Sequence, residues 1–156
     1  MSLERERFML PDVSHIGVVT KDLDKTMREM EELYGLTPFM VMEPGYVNTY
    51  IRGKPAEFKL KSAFYRSGQV VMEVISVLEG DTIYDEWLGE KGEGLHHLGY
   101  DIENIEQWIN YYNGRGIGVL QSGERPGVKW AYLDTSSFTG MIMELIERTE
   151  EGKLIK

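Results

Sequence analysis

Two histidines and two glutamates stand out in this sequence as residues able to do chemistry together. His15 opens Ser14-His15-Ile16-Gly17-Val18-Val19-Thr20 after its first residue, and His97 opens His97-Leu98-Gly99-Tyr100-Asp101-Ile102, so one His-aliphatic-Gly pattern occurs twice, 82 positions apart. Glu73 and Glu144 each interrupt a short β-prone run, Met72-Glu73-Val74-Ile75 and Met143-Glu144-Leu145-Ile146, lying 58 and 47 positions after their histidines. Burying an unpaired carboxylate among such neighbours costs several kcal/mol, roughly. Taken singly, each Glu also fits the water-facing side of a half-exposed strand, and each His a hydrogen-bonded structural role. The repetition favours a shared purpose, because a quasi-twofold arrangement of two similar halves brings all four toward one axis. Two imidazoles and two carboxylates suit a divalent first-row metal with positions left for water or substrate, and the carboxylates balance its charge. His96 falls by alternation on the face opposite His97, beside Leu98 and Tyr100, and reads as structural or supporting.

Composition narrows the chemistry further. The 156 residues include no cysteine, which removes disulfides, thiolate ligands and a thiol nucleophile, so any metal site must use nitrogen and oxygen. A formal charge of −9 argues against nucleic acid as a partner. No apolar run is long enough to span a membrane, and Glu4-Arg5-Glu6-Arg7 lacks a signal-peptide profile, so the expectation is a soluble, cytoplasmic, globular protein. Neither a Gly-x-Ser-x-Gly elbow, nor a phosphate-cradling Gly-x-x-x-x-Gly-Lys loop, nor His-Glu-x-x-His is present.

The elements that must position the four residues repeat as well. After His15, the stripe Leu23, Met27, Met30, Leu33 predicts a helix capped by Asp22 or Asp24 and ended by Gly35. After His97, Ile105, Trp108, Ile109 and Tyr112 predict a second helix, with Asn104 and Gln107 resembling a capping box and Gly114 or Gly116 at its end. Strands are expected at Gly45 to Arg52, Leu60 to Arg66 and Val70 to Val77 in the first half. In the second they are expected at Gly118 to Gln121, Val128 to Leu133 and Met141 to Ile146. Each half reads βαβββ: module one at about 12–79, a Gly-rich acidic linker at about 80–93, and module two at about 94–148, within one domain over 1–156. The tail from Thr149 to Lys156 is expected to fray.

With those motifs in hand, the sequence resembles the vicinal oxygen chelate (glyoxalase-like) superfamily. The resemblance rests on His15 to Val19 with Asp22-Leu23-Asp24-Lys25, on Met72 to Ile75, on Gly94-Leu95-His96-His97-Leu98 and on Met143 to Ile146, and it covers about His15 to Glu147. It implies an α+β fold in which two tandem βαβββ modules form a cupped, partly open eight-stranded mixed sheet around a metal. It also implies His15, Glu73, His97 and Glu144 as ligands of one divalent ion (Co, Mn, Ni, Zn or Mg), and a homodimer. Within the superfamily the chain is most similar to methylmalonyl-CoA epimerases. That likeness implies a metal-dependent isomerase acting on the α-carbon of an acyl-CoA thioester, by proton abstraction to a stabilised enolate and reprotonation. Glu144 and Glu57 would then be the two bases. Phe58-Lys59 follows Glu57 where those epimerases carry a Gly-containing turn, and Asp134-Thr135-Ser136-Ser137 stands where they carry a His-Pro-Lys-like segment. Arg52, Lys54, Lys59, Lys61, Arg66, Arg125 and Lys129 are candidates to offset the charge of coenzyme A. The alternatives are a glyoxalase I-type lactoylglutathione lyase, which uses a similar tetrad, and a non-catalytic ligand-binding or resistance protein of the same fold.

Overall fold

The computed structural model describes residues 7–153, so Glu4 to Glu6 and residues 154–156 of the tail lie outside it. The first strand, β1 (His15–Val19), is followed by helix α1 (Leu23–Tyr34). Asp22 caps that helix by accepting from Lys25 N at 3.0 Å, and Gly35 ends it with a left-handed φ of 65°. Leu23 and Met30 of the expected stripe are buried, whereas Leu33 faces water. Three strands complete this half: β2 (Met40–Met42), β5 (Lys59–Ser67) and β6 (Val70–Glu79). In the second half β7 (Gly94–Asp101) leads into α3 (Ile105–Asn113), then β8 (Val119–Arg125), β9 (Val128–Leu133) and β10 (Ile142–Arg148), with a short helix α4 (Ser136–Thr139) before β10.

These strands form a single sheet in the order β2-β5-β6-β1-β7-β10-β9-β8, extended by a hairpin of β3 (Val47–Ile51) and β4 (Lys54–Pro55) on the β8 edge. Each half repeats one pattern. The first strand pairs parallel to the last of its half, and the remaining pairs are antiparallel. The halves meet where β1 and β7 run antiparallel. The α+β fold built on two βαβββ halves is therefore as expected, with ten strands in place of eight.

The extra strands correct the expected placement of Gly45 to Arg52. The second strand of the first half is Met40–Met42, paired with β5, while Val47–Ile51 leaves that half and pairs with β8 of the other. Residues 43–46 lead out to this hairpin and residues 56–58 lead back, so the segment 43–58 straps one edge of the cup to the other. The stretch expected as a linker holds a helix, α2 (Ile83–Lys91), started by a capping box between Thr82 and Asp85. The capping box expected at Asn104 and Gln107 does not form. Asn104 adopts a left-handed φ of 55°, and the Glu147 carboxylate accepts from Ile105 N at 2.9 Å instead. Nor is the tail frayed as far as it is described, because a 3-10 turn at Glu150–Gly152 packs against Gly127.

Period-two alternation divides the side chains between the two faces of the sheet. On the concave face Phe58, Leu60, Ile75, Val128, Trp130, Tyr132, Ile142 and Ile146 join Tyr84 and Trp87 of α2 in one core. On the convex face Ala63, Tyr65 and Val74 pack under α1, and Ala131, Leu133, Met143 and Leu145 pack under α3.

Candidate metal centre

His15 begins β1, and Glu73 lies on β6 beside it. His97 lies on β7 and Glu144 on β10. Strand register turns their sequence spacing into proximity: Glu73 pairs with Gly17, which pairs with His97, and Glu144 pairs with Gly99, which pairs with His15. The two glycines thus stand between the functional side chains on the concave face. A Cβ on Gly17 would come within 1.9 Å of the His97 ring, and one on Gly99 within 2.2 Å of the His15 ring.

One donor atom from each of the four residues lies within 4.8 Å of the others. His15 Nε2 is 3.1 Å from His97 Nε2, 3.0 Å from Glu144 Oε2 and 3.3 Å from Glu73 Oε2. His97 Nε2 is 3.2 Å from Glu144 Oε2 and 4.0 Å from Glu73 Oε2. Separations near 3 Å match neighbouring ligands around an ion with bonds of about 2.1 Å. Glu144 is only 6% exposed, and its Oε2 has no hydrogen-bond partner among the described residues despite those two close nitrogens. The contacts have the distance of hydrogen bonds without their direction, as expected of atoms aimed at a common centre. A buried carboxylate oxygen left so is costly, and a cation would satisfy it. The residues fit a divalent metal.

Neighbouring groups hold three of the four in place. Ser62 Oγ donates to Glu73 Oε1 at 3.0 Å, Ser14 Oγ lies 3.2 Å from His15 Nδ1, and His96 Nδ1 lies 2.9 Å from His97 Nδ1. Such partners orient ligands and fix the tautomer. The expected face of His96 is corrected: a register shift in the β1–β7 ladder after Gly17 makes His96 a bulge residue, and its ring packs inward on Tyr84, Trp87 and Tyr132. Burial, then the neighbouring His97, pushes its imidazole down to about 2, so it stays neutral. In the metal-free protein burial works against charge on His15, but Glu144 and Glu73 outweigh it and raise its pKa to about 10. Glu144 is buried too, yet His97 and His15 hold its carboxyl well below the ordinary range.

A cavity of about 40 Å³ opens beside His15, Glu73 and Glu144, bounded by Met42, Tyr46, Phe64, Tyr84, Trp130 and Tyr132, with Arg125 and Arg148 also lining it. Tyr84 OH donates to Tyr132 OH at 2.6 Å. Burial, followed by the charges of Glu144 and Glu73, raises both of these phenols, and burial with Glu73 raises Tyr46, so all three remain protonated. Sequence reading did not single out these tyrosines. For Tyr132 the signal was there, since Val128, Trp130 and Tyr132 alternate onto one face. Tyr46 falls within the strand expected at Gly45 to Arg52, but the observed strand starts at Val47 and leaves Tyr46 in the connection before it.

Glu57 is not brought to this cavity. It is exposed between β4 and β5, where alternation sends Phe58 and Leu60 inward and leaves Glu57 and Lys59 outside. The other basic candidates do not line this cavity. Arg52 pairs with Glu86, Lys59 with Glu79, Lys61 with Asp24 and Lys129 with Glu124, while Arg66 lies over the Phe39 ring and Lys54 is exposed.

Comparison with known proteins places this architecture. The chain is 24% identical to the uncharacterized protein YqjC of Bacillus subtilis (strain 168), over 86% of this chain and 91% of that one. Among solved structures it superposes on a methylmalonyl-CoA epimerase of Streptomyces coelicolor, a variant in complex with 2-nitronate-propionyl-CoA, with a TM-score of 0.63, 18% identity and coverage of 94% and 100% of the two chains. The methylmalonyl-CoA epimerase of Mycobacterium tuberculosis gives 0.61, 14%, and 92% and 95%. Residues 14–132 match the family model of the glyoxalase/bleomycin resistance protein/dioxygenase superfamily, and the chain belongs to that superfamily.

Proposed function

We propose that the protein is a metal-dependent isomerase that inverts the carbon next to the thioester carbonyl of an acyl-CoA. The observation that carries this reading is the convergence of His15, Glu73, His97 and Glu144 on one buried point, with Glu144 Oε2 left without a hydrogen bond. The likeness in fold to methylmalonyl-CoA epimerases supports the choice of reaction.

The four residues hold the ion, which when bound supplies Lewis-acid stabilisation of charge developing on a carbonyl oxygen. Glu144 is the carboxylate that takes the proton from one face of the α-carbon. With Glu57 outside, the group that returns a proton on the other face belongs to the cavity, where Tyr46, Tyr84 and Tyr132 are the protonated side chains. The strap over the cup keeps bulk water from the carbanion.

Incubating the metal-loaded protein with methylmalonyl-CoA in deuterium oxide tests the reading. Deuterium enters the α-position, and His97→Ala loses both metal and exchange. Retention of exchange by a metal-free His97→Ala protein overturns it. Hemithioacetal isomerisation without exchange assigns the protein to the lyases of the superfamily, and tight ligand binding without turnover to its binding proteins.

A further inference from the structure

The residue before each histidine of the tetrad touches the nitrogen of that histidine which points away from the centre. Ser14 Oγ lies 3.2 Å from His15 Nδ1, and His96 Nδ1 lies 2.9 Å from His97 Nδ1. The repeat thus gives both halves the same contact with different occupants. Ser14 is half-buried, and its hydroxyl turns to donate or to accept, so it is compatible with either tautomer of His15. His96 is fully buried, and a ring nitrogen cannot adapt in that way.

A bulge makes the second contact. Gly17 pairs with His97 and Val18 with Leu95, so His96 is the extra residue in the β1–β7 ladder. Successive side chains of a strand ordinarily point to opposite faces, yet here two imidazoles in a row meet through their Nδ1 atoms. The ring of His96 lies against Tyr84, Trp87 and Tyr132, with centroids 5.1, 5.2 and 5.7 Å away. Among the described residues the carboxylates of Glu73 and Glu144 pair with His15 and His97, and none pairs with His96. An unpaired charge is costly in such surroundings, so His96 is a neutral imidazole with a single N–H.

The protons can then be placed. His97 Nε2 faces the tetrad, 3.2 Å from Glu144 Oε2 and 3.1 Å from His15 Nε2. To offer a lone pair to a cation there, a neutral His97 carries its proton on Nδ1. That N–H donates to His96 Nδ1, and His96 keeps its own proton on Nε2. His96 Nε2 is a buried nitrogen with no hydrogen-bond partner among the described residues. Packing alone gives no reason to keep it, since an apolar side chain would fill the space without an orphaned polar atom. A carboxylate at this position would also accept from His97, but it would add a third negative charge beside Glu73 and Glu144. The neutral acceptor fixes the ring and leaves two carboxylates to balance a divalent ion.

We propose that His96 is a positioning residue of the metal centre: it accepts from His97 Nδ1–H and so holds His97 in the one tautomer and orientation that present Nε2 to the ion. This rests on the metal-dependent reading above and deepens it in respect of metal affinity, not of substrate.

The test compares two side chains of similar size that differ in the acceptor. His96→Leu and His96→Asn both remove the ring, but the Asn amide oxygen restores an acceptor near the place of Nδ1. Zinc affinity is measured by chelator competition, with circular dichroism to establish that the variants are folded. His96→Leu binds zinc about 10–100-fold more weakly, the range for losing the orienting partner of a ligand. His96→Asn recovers most of that loss, whereas a merely structural ring would be missed equally in both. Nitrogen-15 NMR of zinc-loaded wild-type protein shows the proton of His97 on Nδ1 and that of His96 on Nε2, a readout that needs no variant to fold. Wild-type affinity in His96→Leu, equal losses in folded Leu and Asn variants, or a proton on His96 Nδ1 in the loaded protein each overturn the proposal. Failure of wild-type protein to bind zinc removes the metal centre and the proposal together. Zinc binding with the stated tautomers, but no deuterium uptake into methylmalonyl-CoA, leaves the role of His96 standing and removes only the isomerase reading.

Discussion

Gly17 stands directly across the β1–β7 ladder from His97, and its missing side chain is the space that the imidazole occupies, since a Cβ there would lie 1.9 Å from His97 Cε1. Gly99 does the same for His15. Each half of the molecule thus supplies, two residues after its own histidine, the vacancy that seats the histidine of the other. Alanine at position 17 has to push the His97 ring aside, so Gly17→Ala and Gly99→Ala should each weaken metal binding by about 100-fold, the upper range for loss of ligand orientation. Chelator competition measures this directly. A Gly17→Ala protein that binds metal like wild type would show that His97 needs no such seat.

Metal should also stabilise the fold. A ligand present at about 1,000 times its Kd adds about 4 kcal/mol, which for a chain of this size is a rise of about 10 °C in melting temperature. Removing metal with a chelator reverses the rise. Glu144→Gln should melt at nearly the same temperature with and without metal, because the amide cannot replace a carboxylate ligand at the buried centre. Differential scanning calorimetry under both conditions decides the point.

The pH dependence follows from His15. In the metal-free protein Glu144 and Glu73 outweigh burial and keep its imidazole protonated up to about 10, so an incoming metal has to displace a proton. Metal affinity is therefore expected to climb about tenfold per pH unit from pH 7 upward and to level off as pH 10 approaches. Stability of the metal-free form runs the other way. A raised folded pKa contributes fully below the unfolded value of about 6.5, and that contribution is lost as pH rises through 10. Glu144, whose pKa is depressed, contributes above the ordinary carboxylate range and loses its contribution in acid. Melting of the metal-free protein at pH 6 and pH 9 should show the higher temperature at pH 6. Equal temperatures at the two would count against a protonated His15.

Neighbouring substitutions separate Glu57 from Phe58. Glu57→Gln, at an exposed position, should leave metal content and proton exchange unchanged. Phe58→Ala removes a ring from the concave core beside Tyr46 and Trp130 and should cost about 3–5 kcal/mol in urea unfolding. Loss of exchange on Glu57→Gln in a fully folded protein would return that residue to the chemistry.

The repeated halves were legible because their signals are local. His-aliphatic-Gly and Met-Glu-aliphatic-Ile stay in phase with strand alternation, so the faces of His15, Glu73 and Glu144 could be read directly. His96 could not, because a bulge resets alternation by one residue and nothing in Leu95-His96-His97 announces it. The strap escaped for a different reason. Val47–Ile51 is as strand-prone as any edge strand, and whether it pairs with β5 or with β8 is decided by partners far away in sequence. Glu57 came from the family resemblance alone, and a resemblance in sequence does not say which way a side chain between β4 and β5 points; here it is exposed.

The strap also governs when the molecule can be finished. Val47 finds its partner at Glu124, 77 positions later, so the first half cannot complete its pairing from its own residues. On a ribosome adding about 5–20 residues per second, β3 waits roughly 4–15 s for β8 to be made. Until then the concave aromatics and the carboxylate of Glu73 lie open to water and to any passing cation. The two repeats look like separable copies, but they share one assembly step, and the cup closes only when the later copy supplies the edge to which the earlier one is tied.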